Sequence, residues 1–198
     1  FFDHFLKGLE TGVEAWPRVQ IEVREAAGVA GVREEAEWPL ARTQYRELFL
    51  DAANGVMGWE AVPDEASTAY DSCDEAGEAV FTHRFATDTE LTGHAALRLW
   101  VEAEGAADMD LFVALQKLDR DGAPVGMTFY AFYENGPVAL GWLRASHRAL
   151  DAGRSTPWQP VHPHDREEPL RPGEVVPVEI ELWPSSALFR AGESLRVV

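Results

Sequence analysis

The sequence predicts an all-β protein, an antiparallel β-sandwich with jelly-roll wiring and one short helix in front of it. Three observations carry this prediction. About eight separate runs alternate apolar and polar side chains with a period of two, which marks strands and not helices. Clusters of Gly, Pro, Asn and Asp separate the runs, supplying the turn chemistry that antiparallel neighbours need. The connections are unequal, a few long excursions among short turns, and that favours a Greek key or jelly roll over a simple meander.

The first element is helical. Phe2, Phe5, Leu6 and Leu9 fall at i, i+3, i+4 and i+7, the stripe of a short amphipathic helix, and Gly8 and Gly12 limit it. Trp16-Pro17 stops any continuation, because the residue before proline avoids the α region. Residues 1–16 therefore read as a helix and linker, and residues 17–198 as the sandwich. Arg18–Arg24 follows as a strand with Val19, Ile21 and Val23 on one face. Glu34–Leu40 reads as a solvated connection, Tyr45–Leu50 as a short strand, and the turn-rich Asp51–Tyr70 with the acidic Asp71–Glu78 as one long surface loop. Ala79–Phe85 is a further strand.

Thr92–Lys117 is the stretch around which the rest is organised. Leu97, Leu99, Val101 and Ala103 share one face of a first strand, with Arg98 and Glu102 opposite. After Glu104-Gly105-Ala106-Ala107, Leu111, Val113 and Leu115 share one face of a second, with Phe112 and Ala114 opposite. Apolar on both faces, this second run suits a strand deep inside a sheet. Pro124–Tyr133 alternates Val125, Met127, Phe129, Ala131 and Tyr133, and Val138–Arg144 runs back after a turn. Ser155–Pro172, with its several prolines, should wander over the surface. Val176, Val178, Ile180 and Leu182 then line one face of the cleanest strand, which Trp183-Pro184 ends, and Glu193–Val198 begins one more. Trp142, Leu99, Leu111 and Ile180 are the expected core.

Composition narrows the function. Thirty-four acidic against 17 basic residues give a formal net charge of −17, which repels phosphate backbones and argues against a nucleic-acid partner. No apolar run reaches the roughly 18 residues of a membrane span, so no membrane partner is expected. One cysteine, Cys73, forms no internal disulfide, which is compatible with a reducing compartment without establishing one. At 198 residues the chain suits one domain with an appendage, and its last residues, Leu195–Val198, stop within a strand pattern. The expectation is a piece of a longer polypeptide.

Candidate chemistry is sparse. None of the seven serines lies in a Gly-x-Ser-x-Gly elbow. Ser146-His147 is a tempting pair, but neighbours in an extended segment point to opposite faces, and two polar residues at a strand end is the plainer reading. Asp108 and Asp110 could offer oxygens to calcium, but no third ligand is identified, and strand-entry hydrogen bonding is the favoured reading. His162, His164 and Asp165 could hold a transition metal, yet no further His or Cys cluster completes four ligands. Trp100, Trp142, Trp158 and Trp183 could form a sugar-stacking platform, although aromatics on sheets serve more often as core or interface.

Several stretches together resemble the C-terminal domain of the X-Pro dipeptidyl-peptidase and cocaine-esterase-like (CocE/NonD) acyl hydrolases. They are Phe1–Gly8 (FFDHFLKG), Leu91–Gly93 (LTG), Met109–Leu118 with its leading aspartates, Gly141–Arg148 (GWLRASHR), Leu170–Glu174 (LRPGE) and Phe189–Leu195 (FRAGESL). The resemblance implies a jelly roll of the galactose-binding-domain-like kind, packed on an α/β-hydrolase domain of the same polypeptide that carries the Ser-His-Asp triad. The triad would lie upstream of Phe1, so no catalytic, cofactor-binding or metal-ligating residue is assigned here and no cofactor is implied. The apolar stripe of the first helix would be covered by the hydrolase domain; without it, the stripe would fold back or join copies of the chain into a homo-oligomer. The alternative is a stand-alone carbohydrate-binding β-sandwich module, because fold alone does not fix function.

Overall fold

The structure is a computed structural model that describes residues 1–129 and 133–198. Helix α1 (Phe2–Lys7) and a 3-10 turn (Val13–Ala15) lead into the hairpin of β1 (Val19–Ala26) and β2 (Val29–Glu35). Short strands β3 (Phe49–Asp51), β4 (Val56–Gly58) and β5 (Phe81–Arg84) come next, then the long β6 (Thr89–Val101) and β7 (Asp110–Leu118). β8 (Pro124–Val125), β9 (Met127–Phe129), β10 (Tyr133–Gly136) and β11 (Ala139–Arg144) precede β12 (Val176–Phe189) and β13 (Ser194–Val197). The fold is all-β, a sandwich, as expected.

Hydrogen bonding runs in the order β2-β1-β12-β11-β7-β13-β5-β4-β3, with β6 also on β12 and β8 on β7. Most pairs are antiparallel; β1–β12 and β4–β5 are parallel. The two mid-chain strands both feed the core but are not neighbours: β6 lies along β12, whereas β7 lies between β11 and β13. The main core gathers Val113 and Leu115 of β7, Leu143 of β11, Val178, Ile180, Leu182 and Phe189 of β12, and Leu195 and Val197 of β13. Ile21, Val23 and Leu40 form a smaller cluster beneath the first hairpin.

β12 is longer than its sequence suggests. It passes through Trp183-Pro184, and its register against β6 shifts between Leu182 and Ser185. A bulge leaves residues unpaired, so a proline without an N–H can sit there without losing a ladder bond. β2 lies in residues given no element from the sequence and reaches only into the start of the Glu34–Leu40 connection, β3 keeps only the end of the Tyr45–Leu50 run, and β4 lies inside the long surface loop. Ala131 of the Pro124–Tyr133 alternation lies outside the described residues. The proline-rich segment is also less loose than expected, since Pro160 is fully buried and Leu170 is buried with the core.

Trp142 corrects the expected core. It is 53% exposed, while Ile180 is fully buried and Leu99 and Leu111 pack against the core partly covered. The inward positions of β11 are Ala139, Gly141 and Leu143, so Trp142 alternates outward. A Cβ at Gly141 would collide with the Glu181 carbonyl and the Leu182 side chain. Glycine thus marks a close approach of β12, and the bulky neighbour is left on the outside. Phe112 shares this face at 78% exposure, so β7 is not buried on both sides.

Lys117 crosses the core edge. Although 2% exposed, its Nζ donates to the carbonyls of Glu25 (2.9 Å) and Leu188 (2.8 Å) and pairs with Glu193 Oε2 at 2.7 Å. All three of its donors are satisfied.

Helix α1 ends at Gly8, whose φ of 65° is the left-handed cap geometry. None of its residues is buried, so the stripe does not fold back on the sandwich.

Phe189→Ala is expected to cost about 3–5 kcal/mol by opening a core cavity. Trp142→Ala should cost less than half of that, and urea unfolding of the two variants measures the difference.

Candidate functional site

The exposed face of β7, β11 and β12 carries the most concentrated set of functional side chains. Antiparallel pairing sets Trp142 opposite Phe112 and Arg144 opposite Asp110. Trp142 meets Trp183 edge-on, with ring centres 5.2 Å apart. Edge-to-face contact of this kind suits aromatic quadrupoles. Together with the 151–164 segment these residues line a groove of about 670 Å3, aromatic along its floor and bearing Arg144, Arg154, His147 and His164 on its walls.

Asp108 and Asp110 already have partners. Arg144 grips Asp110 through two bonds of 2.7 and 2.8 Å, and its Nε lies 4.0 Å from Asp108 Oδ2. Asp108 Oδ1 accepts from the N–H groups of Met109 and Ser146, each at 2.9 Å. Burial alone would raise the Asp108 carboxyl. Hydrogen bonds from the Ser146 side chain and backbone and from Met109, with the nearby Arg144 charge, outweigh it and hold the group below the usual carboxylate range. For Asp110 the Arg144 hydrogen bonds are the largest effect and lower it as well. Both aspartates tie the entry of β7 to the exit of β11, the strand-entry role weighed against calcium.

Ser146 and His147 lie in a 3-10 turn, Ala145–His147, and not at an extended strand end. Ser146 is buried against Asp108, whereas the His147 ring faces His164 and Glu167. The two side chains serve different partners. Arg148 reaches the carbonyls of Ala145 and Glu168. The GWLRASHR run is therefore a buckle, joining β7, β11 and the 166–170 segment.

His164 lies beside both His147 and His162, and its meeting with His147 was concealed by sequence distance. The ring centres of His147 and His164 are 5.2 Å apart, and those of His162 and His164 are 5.9 Å apart. Burial lowers the His162 pKa, and the His164 charge adds to this. Asp165 instead lies near Arg166, at 3.9 Å. Among the described residues, no three His, Cys, Asp or Glu side chains converge closely enough to enclose a metal ion.

The four tryptophans do not share one arrangement. Trp142 and Trp183 touch, but Trp158 has one ring face covered by Tyr45, stacked at 4.1 Å with planes 6° apart. Trp100 is exposed on β6.

Residues 11–198 match the family model described as the X-Pro dipeptidyl-peptidase C-terminal non-catalytic domain. The chain belongs to that family. A solved CocE/NonD family hydrolase of Staphylococcus aureus superposes with a TM-score of 0.93 at 41% identity, covering 100% of this chain and 36% of that one. A candidate serine esterase of Mycobacterium bovis is 26% identical over 227 residues, covering 100% of this chain and 34% of the esterase. An archaeal aminopeptidase from a marine-sediment Thaumarchaeota archaeon shares the fold, with a TM-score of 0.63 at 17% identity, across 100% of this chain and 34% of its own. The chain thus spans about a third of the relatives it matches. The family description carries the non-catalytic hydrolase reading, and nothing in these matches points to a stand-alone glycan module.

The Asp108 contacts give a direct test of the buckle. A carboxyl whose folded pKa is depressed contributes stability above its unfolded value of about 3.9 and loses it as pH falls through the lower folded value. Asp108→Asn is expected to destabilise the domain at neutral pH and to flatten its acid unfolding curve below about pH 4, read by circular dichroism.

Proposed function

We propose that this domain is the non-catalytic C-terminal part of a serine acyl hydrolase of the acyl-esterase or X-Pro dipeptidyl-peptidase type. It packs on an α/β-hydrolase domain of the same polypeptide and helps shape that domain's substrate cleft. The observation that carries the reading is the full-length match, at 41% identity, to about a third of a CocE/NonD hydrolase chain. The residues agree with it. Acyl transfer needs a nucleophile, a base within hydrogen-bond reach and an oxyanion hole, and in the one adjacent Ser-His pair the serine is held by Asp108 while the histidine faces His164 and Glu167. The reading includes the division expected from the sequence, with residues 1–16 as helix and linker from the hydrolase domain and residues 17–198 as the sandwich.

Two apolar surfaces suit the contact. One is the face of Phe112, Trp142 and Trp183; the other is the α1 stripe, with Phe2, Phe5 and Leu6 all largely exposed. Large aromatics bury on the order of 150–250 Å2 each, so a few of them supply much of an interdomain interface.

The activity test uses an activated acyl ester and an X-Pro dipeptide amide. The 198-residue chain should turn over neither, and Ser146→Ala should leave that background unchanged. Turnover by the chain that vanished in Ser146→Ala would overturn the reading.

The exposed stripe also predicts self-association when the hydrolase domain is absent. Sedimentation at rising concentration should show a dimer or larger species, and Phe5→Glu with Leu6→Glu should return it to monomer with its β-sheet signal intact.

A further inference from the structure

We propose that His147 and His164 form a two-imidazole site for a divalent transition-metal ion of the zinc or copper class. Their Nδ1 atoms lie 3.3 Å apart across the groove. An ion at about 2.0–2.1 Å from each nitrogen would see them at an angle of roughly 105°, close to tetrahedral. The far side of the His147 ring is furnished too: Glu167 Oε1 stands 3.8 Å from Nε2. A ligating imidazole characteristically turns its second N–H toward a carboxylate, which fixes the tautomer and strengthens the ligand.

Both rings sit on supports that are already ordered. His147 ends the 3-10 turn whose Ser146 N–H is held by Asp108. His164 ends a segment closed by the Asp151 N–H donating to the Val161 carbonyl at 2.8 Å, and by the Val161 N–H donating to Ser155 Oγ at 2.9 Å. Pro160 is fully buried in the same segment. Among the described residues, His164 is the one non-glycine with positive φ, at 54°. That backbone region is sparsely used by residues with a Cβ, and here it brings His164 to His147. Beside His164, the Nε2 atom of His162 is buried with no hydrogen-bond partner among the described residues.

The chemistry selects the ion. Imidazole nitrogens suit zinc, copper and nickel, whereas calcium and magnesium require oxygen. Asp110, Glu167 and Glu181 offset Arg144 and Arg154 around the groove. With two protein nitrogens and no third His, Cys, Asp or Glu converging among the described residues, the site is open and leaves positions for water.

Titration calorimetry of the 198-residue chain with zinc chloride, in a non-chelating buffer at neutral pH, tests this. One ion per chain is expected. Affinity should fall at least about tenfold in His147→Gln and in His164→Gln, fall less in Glu167→Gln, and stay unchanged in His4→Gln. A second measurement needs no variant. Long-range proton–nitrogen spectra of the parent chain should show zinc moving the Nδ1 signals of both rings while Nε2 of His147 keeps its proton. No uptake by the parent chain, uptake undiminished in both histidine variants, or coordination through Nε2 would each overturn the proposal and leave a plain N–H···N hydrogen bond between two imidazoles.

Discussion

A buried ammonium group sets the terms for the rest of the fold. Moving one charge out of water costs several kcal/mol, and the cost is met only when every donor is paired at good geometry. The acceptors for Lys117 come from the end of β1, the end of β12 and the turn before β13. If any of these elements departs, a charge is left in the core without its full set of partners. Arg24 repeats the arrangement on β1, with Nη2 donating to the Val138 carbonyl at 2.9 Å and to Ser185 Oγ at 2.6 Å. Burial pushes its pKa down, with Glu22 partly opposing. Polar ties of this kind make the sheet's central path cooperative, because each depends on strands far apart in the chain.

The strand content was readable wherever the period of two coincided with burial. Val178, Ile180 and Leu182 show it plainly, as do Val113 and Leu115. The reading faltered where size and position disagree. Trp142 is the largest residue in β11, and large apolar side chains are usually interior, but the inward site beside it has room only for Gly141. The backbone of β12 takes that space, and a single sequence does not reveal which strand will come so close. β2 was passed over for a related reason. Its side chains are mostly exposed, so Val29–Glu35 carries little apolar signal, and pairing with β1 holds it in place.

The candidate site was legible residue by residue but not as an assembly. Asp108, Asp110, Ser146, His147, His162 and His164 were all visible as chemistry-bearing groups. Their partners were not, because β7–β11 pairing and the return of the 151–164 segment decide them. Once assembled, Asp108 accepts from the Met109 and Ser146 N–H groups, and Arg144 fills the place a cation would take beside Asp110. The imidazoles are the groups left facing a groove. The contrast follows from reach: the aspartates stand at strand entries, where peptide N–H groups need acceptors, and the histidines stand beyond them.

The parallel contact between β1 and β12 has a temporal side. Arg24 donates to Ser186 across 162 residues of chain, and Ala187 is the register partner of Arg24. During synthesis the first hairpin emerges early and must wait for the last long strand before it can dock. Loops that close over such distances form slowly, because the ordering cost comes before the contacts that reward it. Until then Ile21 and Val23 stay in water, and the nascent hairpin is a surface that ribosome-associated chaperones would be suited to shield.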